Sequence, residues 1–264
     1  MQNLKMFSLC LYPRHHSIIK QFKYIPVGLG NNEFDDNWLK DNTGDNISKK
    51  NPYYGEYTFH YWLWKNYLNN FDDGTWLGFC GYRYFWKNKK DLPDTRKSIL
   101  SNVPDEWNDY ESIIAEPQFV NNIKLSKIFK NGDKKLLLNY RSYLKKKQNV
   151  HFHFKVFHGE DSLSKAIELL DDENRDPFRK YVNEEISFHK WNMFICRSKK
   201  KIIDYYSSIF PWLQKCENLF GFDLDGYGKR RIYGFLAERY LSYWFTKNTK
   251  YLSWPVFKLD VDRH

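Results

Sequence analysis

The chain has 264 residues, and its 42 lysines and arginines exceed its 32 acidic residues to give a formal net charge of +10. Phe, Tyr and Trp make up 19 % of the residues, and a hydrophobic fraction of 42 % excludes a disordered chain. No stretch approaches the roughly 20 apolar residues of a membrane-spanning helix, and the four cysteines form no CxxC pair. The composition therefore predicts a folded cytoplasmic protein whose basic, aromatic surface suits a nucleic acid, a nucleotide sugar or an anionic membrane.

The first third of the chain carries two strand signals and one strong helix signal. Short apolar runs predict strands at Met6 to Tyr12 and at Tyr24 to Val27, and a loop rich in Gly, Asn and Asp runs from Gly28 to Asp45. Asn51 can cap a helix and Pro52 suits its first position. That helix would present one aromatic and apolar stripe: Tyr54, Tyr57, Tyr61, Trp64 and Leu68.

The rest of the chain continues the alternation of strands and helices. Further strands are predicted at Trp76 to Cys80 and Tyr110 to Ala115, and the alternating Val150 to Val156 predicts a half-exposed strand. Helices are expected at Ser162 to Leu170, at about Ile202 to Phe220, where Pro211 should kink or split the helix, and at Arg231 to Phe245. This order indicates an α/β protein with a central sheet.

A basic segment interrupts this pattern. Residues 118–160 are the least regular part of the chain, and Lys124 to Lys147 holds nine basic residues and one acid. Because no linker rich in Pro, Gly or Ser divides the chain, we expect a single domain over residues 1–264 with a basic insertion at 118–160.

Two segments carry groups that suit a nucleotide. In the first, Asp45, Asn46 and Ser48 offer hydrogen-bond partners for a ribose or a base edge, and free amides at the following helix start would favour a diphosphate. The same residues also suit a plain turn followed by a helix cap. In the second, Arg83 between two tyrosines could meet a phosphate while Tyr82 stacks on a base. An edge strand with Arg83 in solvent is the alternative.

Two later segments carry groups that suit a sugar and an acid-base step. At 100° per residue, Arg231, Gly234, Glu238 and Ser242 share one helix stripe, so that Glu238 could act as a general base and Arg231 as an anion clamp. A structural Arg/Glu network fits equally well. His189 and Asn192 could bond sugar hydroxyls while Trp191 stacks on a sugar ring, although His189 also suits a structural role.

Several chemistries lack their sequence motifs. The chain has no HExxH, GxxxxGK[ST], GxGxxG or GxSxG motif. The pair His151 and His153 suits surface contacts better than a metal site. Acidic pairs such as Asp223 and Asp225 could hold Mg²⁺ or Mn²⁺ on a diphosphate, but no motif fixes a metal site.

Taken in order, these segments resemble a known family. The motifs Thr43-Gly44-Asp45-Asn46-Ile47-Ser48 and Tyr61-Trp62-Leu63-Trp64-Lys65-Asn66, with Gly78 to Phe85, are similar to the N-terminal half of bacterial capsular and exopolysaccharide biosynthesis glycosyltransferases, long catalogued as a domain of unknown function. Asn192 to Ile195 and Gly234 to Arg239 resemble their C-terminal half. The resemblance covers nearly the whole chain.

The resemblance implies a GT-A-like fold with a mixed, mostly parallel central sheet flanked by helices. It implies transfer of a sugar from a nucleotide-diphosphate donor, in some members galactofuranose, to a polyprenyl-diphosphate-linked glycan acceptor. Glu238 and Arg231 are then the expected catalytic residues, and His189, Trp191 and Asn192 the expected sugar or acceptor contacts. The expected donor-binding residues are Gly44, Asp45, Asn46, Ser48, Asn51, Tyr54, Tyr82 and Arg83.

The chain departs from the family pattern at two positions. Gly81 stands where the family usually has His, and Tyr84 stands where it has a second Arg. The strand end where many GT-A enzymes carry a metal-binding Asp-x-Asp contains no acid, so the expected help on the diphosphate comes from Arg83, and a divalent cation is not firmly implied. A degenerate transferase that binds sugar without turnover therefore stays open.

Charge and location leave further alternatives. The run from Lys124 to Lys147, or the segment from Arg197 to Lys201, could rest on anionic lipid at the inner face of the cell membrane, or could simply be solvated. A non-enzymatic binder of single-stranded nucleic acid is a second hypothesis, which is weakened because many rings lie at core spacing.

Overall fold

The structure is a computed structural model that describes residues 3–121 and 148–259. The chain forms two compact units, which we describe one at a time. The first unit comprises Met1–Glu116, Trp191–Ser208 and Trp244–His264, and the second comprises Pro117–Lys190 and Ile209–Tyr243. The expectation that residues 1–264 act as a single domain stays a prediction.

The described strands and helices are numbered in chain order. The strands are β1 (Leu4–Cys10), β2 (Ile25–Gly28), β3 (Leu39–Lys40), β4 (Trp76–Gly81), β5 (Tyr84–Trp86), β6 (Ser112–Ala115), β7 (Pro117–Phe119), β8 (Ser187–His189), β9 (Phe194–Cys196), β10 (Tyr251–Trp254) and β11 (Val256–Lys258). The helices are α1 (His16–Gln21), α2 (Asn51–Tyr54), α3 (Tyr57–Trp62), α4 (Val150–His158), α5 (Ser162–Glu168), α6 (Asp172–Glu184), α7 (Lys199–Phe220), α8 (Tyr227–Arg230) and α9 (Ile232–Asn248).

A seven-stranded sheet organises the first unit, with the strand order β10-β6-β9-β4-β1-β2-β3. The neighbours β10 and β6, β4 and β1, β1 and β2, and β2 and β3 are parallel, whereas β9 runs antiparallel to both of its neighbours. A mixed, mostly parallel central sheet is what the sequence predicts, and this fold class is confirmed. The two short strands β5 and β11 form a separate antiparallel pair.

Alternating side chains of the sheet build a core on each face. On one face Met6 of β1 lies against Gly78 of β4 and Ile195 of β9, and a Cβ added at Gly78 would come within 2.3 Å of the Met6 sulfur. On the other face Phe7 contacts the rings of Phe59 and Phe79 at centroid distances of 5.3 and 5.6 Å. A slip of one residue between β1 and β4 would exchange the two faces, so these contacts fix the register.

All four cysteines are buried free thiols. Burial raises the pKa of both Cys80 and Cys196 to about 12, so these thiols are protonated at neutral pH and are poor nucleophiles.

A polar pair lies inside the helical layer of the first unit. The Nδ1 atom of His60 in α3 lies 2.8 Å from the Tyr206 hydroxyl of α7, and the His60 ring stacks on Phe194 with a centroid distance of 5.5 Å. His60 is fully buried, and burial lowers its pKa to about 3. The imidazole is therefore neutral in the folded protein at any pH above about 4.

The second unit is mainly helical and has its own aromatic core. Phe178 of α6 contacts the rings of Trp212 in α7, Tyr240 and Tyr243 in α9 at centroid distances of 5.9, 5.4 and 5.2 Å. The polar edges of these rings have partners, since the Trp212 indole donates to the Ala166 carbonyl at 2.7 Å. The short strands β7 and β8 pair antiparallel in this unit.

The strand predicted at Val150 to Val156 is wrong, because these residues belong to helix α4. The Asn149 side chain accepts a hydrogen bond from the Phe152 amide at 2.8 Å and so caps the helix, and Gly159 with a φ of 114° ends it. Even-numbered side chains of α4 are buried and odd-numbered ones are half-buried, so the apolar alternation reflects a helix enclosed on most sides. It does not mark a pleated strand.

Two helix predictions also need correction. The helix predicted from Asn51 is interrupted at Gly55, where φ is 58°, and then continues as α3, a π-helical turn over Leu63–Tyr67 and a last 3₁₀ turn. Helix α7 is not split at Pro211 but runs on to Phe220, so the predicted split is wrong, whereas the alternative, a kink, stays a prediction. Because Pro211 lies on the exposed side of α7, a carbonyl that loses its N–H partner there can be hydrated. The basic run Lys124 to Lys147 lies outside the described residues.

The buried imidazole predicts a specific loss of stability in acid. In the unfolded chain His60 is protonated below about pH 6.5, whereas in the folded protein it stays neutral down to about pH 3. The free energy of unfolding therefore falls as the pH falls through this window. We expect the wild type to lose about 2 kcal/mol more than His60→Gln between pH 8 and pH 5, as measured by urea denaturation. Glutamine can keep the bond to Tyr206 but does not titrate. Equal losses in the two proteins would contradict this assignment.

Candidate functional site

The parallel strands of the first unit place several loops at one edge of the sheet. In the order β3-β2-β1-β4, the chain leaves β1 for β2 on one side, and β4 lies on the other side of β1. Open α/β sheets bind ligands at such a switch point, outside the carboxyl ends of the strands. The pairing continues past the strand ends, since the Tyr82 amide donates to the Leu9 carbonyl at 3.2 Å. The segments that follow β1 and β4 therefore meet.

Two tyrosines, two arginines and one histidine from these segments form a cluster, which we call the Tyr/Arg cluster: Tyr12, Arg14, His15, Tyr82 and Arg83. The Tyr12 and Tyr82 rings meet edge to face at 5.5 Å, and His15 stacks on Tyr82 at 5.0 Å. The Arg14 guanidinium lies 4.6 Å from the centre of the Tyr12 ring, and that of Arg83 lies 5.0 Å from the centre of Tyr82.

The cluster has a buried base and an exposed top. His15 is 2 % exposed, whereas Tyr12 is 41 % exposed and both arginines reach solvent. Burial raises the pKa of Tyr82, an effect that the Arg83 cation partly offsets, so the phenol stays protonated and can donate a hydrogen bond. Partly exposed aromatic rings beside solvent-facing guanidinium groups suit a ligand that has both an aromatic ring and a phosphate.

Sequence reasoning identified Tyr82 and Arg83 but missed Tyr12, Arg14 and His15. Tyr12 stands at the end of the first predicted strand, and Arg14 and His15 stand in the next segment, whose Pro and His residues predict only a turn. The signal that could have found them is topological, because residues just after the first strand of an open α/β sheet lie at the switch point.

The predicted donor loop is tied to the helical segment that follows it. Asn46 donates to the Gly44 carbonyl at 2.9 Å and accepts from the Ser48 amide at 3.2 Å. Asp45 is exposed and accepts a hydrogen bond from the Tyr61 hydroxyl at 3.2 Å. The loop is therefore held in one conformation that leaves the Asp45 carboxylate in solvent.

Three of the amides expected to be free at the start of the next helix already have acceptors. Helix α2 has only four residues and follows a 3₁₀ turn over Ser48–Lys50. Within this segment the Lys50 amide donates to Ile47, the Asn51 amide to Ser48, and the Ser48 amide to the Asn46 side chain. Asn51 does not cap the helix but donates to the Gly55 carbonyl and the Thr58 hydroxyl, and Tyr54 is buried. This expectation is corrected, because the amides already have acceptors.

The buried carboxylate of Asp41 lies beside the predicted donor loop and helps to hold it. Asp41 accepts a hydrogen bond from the Gly30 amide at 2.9 Å and is fully buried. Burial raises its pKa, and the Thr58 hydroxyl, the Gly30 amide and the Ser48 hydroxyl act in the opposite direction. The loops after β2 and β3 thus share one polar anchor.

Trp191 and Asn192 form a turn with unusual backbone geometry in the first unit. Their φ angles are 77° and 53°, which are rare for residues other than glycine. Trp191 stacks on Tyr84 with a centroid distance of 4.6 Å, and Asn192 is buried. One face of the Trp191 indole is therefore covered by protein, and such strained positions occur often at binding sites.

In the second unit, Glu238 pairs with a residue that the sequence analysis passed over. Its carboxylate lies 2.5 Å from Arg239, a guanidinium that is 1 % exposed. Arg239 also donates to the Nδ1 atom of His153 at 3.2 Å and lies 4.1 Å from the centre of the Phe188 ring. Burial lowers the pKa of Arg239, and the Glu238 charge opposes that shift. Arg239 thus holds the proposed base in a fixed position.

The two other residues predicted in this unit have separate surroundings. Arg231 lies in the turn before α9, where its guanidinium donates to the Tyr227 hydroxyl at 3.1 Å. Seven residues separate it from Glu238, which is about 10 Å along a helix. The His189 backbone exchanges hydrogen bonds with the Ser242 hydroxyl at 2.8 and 3.0 Å. The helix stripe that Ser242 shares with Arg231 and Glu238 therefore packs the Ser242 hydroxyl against strand β8.

The described residues contain no group of three or more His, Cys, Asp or Glu side chains that could hold a metal ion. Within residues 3–121 and 148–259, no helix has the length and hydropathy that a membrane span requires. The two histidines proposed as a surface pair lie on α4, where His151 bonds the Ser164 hydroxyl at 2.9 Å and His153 bonds Arg239.

A family model matches residues 9–249, which is most of the chain. The chain belongs to the DUF4422 family. That family is described as a domain of unknown function, so membership by itself names no activity. No curated protein matches the DUF4422 chain.

The fold is similar to that of a solved enzyme. The apo structure of the bifunctional glycosyltransferase WbbM superposes on the DUF4422 chain with a TM-score of 0.69 at 20 % sequence identity. The match covers 98 % of the DUF4422 chain and 45 % of the solved chain, so the chain spans less than half of WbbM. At this identity the likeness establishes the fold.

The buried ion pair predicts a coupled loss of stability. Arg239→Met removes the cation beside Glu238, whose side chain is only 12 % exposed, and should lower the free energy of unfolding by about 3 kcal/mol. The double variant Glu238→Gln/Arg239→Met leaves no charge behind, so it should be more stable than the sum of the single changes predicts. Urea denaturation of the four proteins measures this coupling. Strictly additive effects would contradict it.

Proposed function

We propose that this DUF4422 chain is a glycosyltransferase that takes a sugar from a nucleotide-diphosphate donor. Two findings support the proposal: the fold is similar to that of the WbbM bifunctional glycosyltransferase, and the Tyr/Arg cluster lies at the switch point of the sheet. The product is proposed to be a surface polysaccharide, namely a capsule, an exopolysaccharide or an O-antigen. A hexose, with galactofuranose among the candidates, is the proposed sugar.

The observation that carries the proposal is the Tyr/Arg cluster. The exposed Tyr12 ring can contact a nucleobase, and the two guanidinium groups beside Tyr12 and Tyr82 can form charge-assisted bonds to a diphosphate. A mononucleotide is favoured over a polynucleotide, because part of the high aromatic content that suggested nucleic acid lies in the core: Tyr54 and Tyr57 of the predicted helix stripe are buried.

The proposed reaction is a direct displacement at the anomeric carbon of the donor sugar. An acceptor hydroxyl forms the new carbon–oxygen bond, its proton passes to Glu238, and the electron pair of the broken bond leaves on the diphosphate. The charge that develops on the leaving group needs cations, which Arg83 and Arg14 supply in the first unit. Arg231 is proposed as an anion clamp in the second unit, and His189, Trp191 and Asn192 as sugar contacts.

A polyprenyl-diphosphate-linked glycan is the proposed acceptor. Because such an acceptor lies in the membrane, we also propose that the protein binds peripherally to an anionic membrane surface. Of the two basic segments suggested for the membrane, Lys124 to Lys147 lies outside the described residues. In the other, Lys199 donates to the Phe71 carbonyl, Lys201 to the Asn248 carbonyl, and Lys200 pairs with Asp204. These ammonium groups already have protein acceptors, so we expect any preference for anionic over neutral lipid vesicles to depend mainly on the 124–147 run.

Donor binding can be tested without knowing the acceptor. A panel of nucleotide sugars, each with and without Mg²⁺, should include at least one that raises the melting temperature of the wild type. Arg14→Gln and Arg83→Gln should each raise the Kd of that ligand about tenfold, which is the contribution of one charge-assisted hydrogen bond. Arg179→Gln removes the same charge from the surface of α6 and serves as the control. The proposal would be contradicted if no nucleotide sugar of the panel raised the melting temperature of the wild type.

The general base has its own test. Glu238→Gln keeps the size of the side chain but cannot accept the proton, so kcat for sugar transfer should fall by about 10²-fold or more while donor affinity stays within about twofold. Transfer is measured as release of the nucleoside diphosphate in the presence of acceptor. Undiminished kcat in Glu238→Gln would remove Glu238 from this role, and donor binding with no transfer in the wild type would favour the degenerate alternative.

A further inference from the structure

The loop from Thr43 to Ser48 is clamped by one amide side chain. The Asn66 Oδ1 atom accepts a hydrogen bond from the Asp45 amide at 3.0 Å, and its Nδ2 atom donates to the Asp45 carbonyl at 2.7 Å. Asn66 thus bonds both backbone groups of one residue, as a neighbouring strand would. Asn66 thereby supplies hydrogen-bond partners from outside the loop for both the amide and the carbonyl of Asp45.

The helix side of this clamp is fixed as well. Asn66 Nδ2 also donates to the Trp62 carbonyl at 2.9 Å, so the amide is held from its own helix. Asn66 lies in the π-helical turn Leu63–Tyr67, a wider turn that changes the direction of the side chains after it. Such turns are rare and occur often at functional sites.

A glycine makes the close approach possible. Gly44 has a φ of 56°, and a Cβ added there would lie 2.3 Å from the Asn66 Oδ1 atom. Any other residue at position 44 would push the amide away and would strain the backbone. Gly44 and Asn66 are therefore coupled by geometry.

Two further bonds join the same loop to the same helical segment. The Trp62 indole donates to the Thr43 hydroxyl at 2.9 Å, and the Tyr61 hydroxyl donates to the Asp45 carboxylate at 3.2 Å. Burial and the Asp45 charge both raise the pKa of Tyr61, which keeps that donor protonated. The Asp45 carboxylate is therefore already oriented in the protein without ligand.

We propose that Asn66 is a positioning residue that holds the Gly44–Ser48 loop in its donor-binding conformation. The inference rests on the proposed function, since it takes this loop to contact the nucleoside of the donor. Asn66 acts through Asp45, whose exposed carboxylate suits the hydroxyl groups of a ribose. A loop that is ordered in advance loses less entropy on binding, so the clamp should appear in donor affinity and not in the chemical step.

The test uses the full chain and two readouts. Hydrogen exchange of residues 43–48 is measured without ligand, and UDP, ADP, GDP and CDP are titrated by calorimetry to find the tightest nucleotide. In Asn66→Ala the exchange of the loop should rise at least tenfold and the Kd of that nucleotide should rise about tenfold, with kcat within twofold of the wild type. Asn69→Ala, an exposed asparagine three residues later, is the matched control and should change neither.

A double variant separates the clamp from a general loss of structure. Gly44→Ala should weaken binding because its Cβ meets Asn66, and adding Asn66→Ala should weaken binding by less than the product of the two single effects, since the clash is gone. Asn66→Asp keeps the acceptor for the Asp45 amide but loses both donors, and should not restore affinity.

The outcomes distinguish this inference from the proposed function. If the wild type binds none of the four nucleotides, the proposed function fails and this inference fails with it. If the wild type binds one of them and Asn66→Ala binds it equally well, the inference is overturned while the proposed function stands. Independent effects of Gly44→Ala and Asn66→Ala would also overturn it.

Discussion

The parallel pairing of β1 with β4 is the constraint on which the rest of the first unit depends. It sets Phe7 opposite Phe79 and Met6 opposite Gly78, so that each face of the sheet receives its own core. A Cβ added at Gly78 would come within 2.9 Å of side-chain atoms of both Met6 and Ile195, so a larger residue there would require these side chains to shift. The same pairing carries the chain beyond both strand ends and brings Tyr12 to the edge of Tyr82. Packing and the candidate site therefore have a single origin.

Polar side chains hold functional segments of this protein in place, and two of them, Asp41 and Arg239, are buried. Asp41 anchors the loop after β2, Asn66 clamps the loop around Asp45, and Arg239 holds Glu238. Burying Asp41 and Arg239 costs desolvation, which shows in the raised pKa of Asp41 and the lowered pKa of Arg239. Such groups add little net stability, but they fix the orientation of an exposed partner. Fixed polar groups are what a transferase needs to meet a charged leaving group without reorganising.

The sequence predicted the sheet well because its strands are short apolar runs bounded by turn residues. The strands around Phe7, Phe79 and Ile113 lie where the pattern places them, within two residues. The pattern failed at α4, because a helix enclosed on most sides shows no 3.6-residue period and its Asn149 cap was overlooked. Local patterns also could not show that α2 ends at Gly55, since the helix stripe continues through it.

The site was only partly predictable, for a different reason. Tyr82 and Arg83 follow a recognisable strand, whereas Tyr12 and Arg14 gain their meaning only from the strand order. Arg239 was overlooked as the partner of Glu238 because neighbours in a helix usually point apart. The pairs formed by Gly44 with Asn66 and by Asp45 with Tyr61 are 22 and 16 residues apart, and only the folded chain brings them together.

The most direct test of the account is a structure of the protein with a bound nucleoside diphosphate sugar. The account predicts that the base lies against Tyr12 or Tyr82 and that diphosphate oxygens lie within hydrogen-bond distance of Arg14 or Arg83. A nucleotide bound elsewhere on the chain, or a diphosphate held by an acidic pair such as Asp223 and Asp225 through a metal ion, would contradict it.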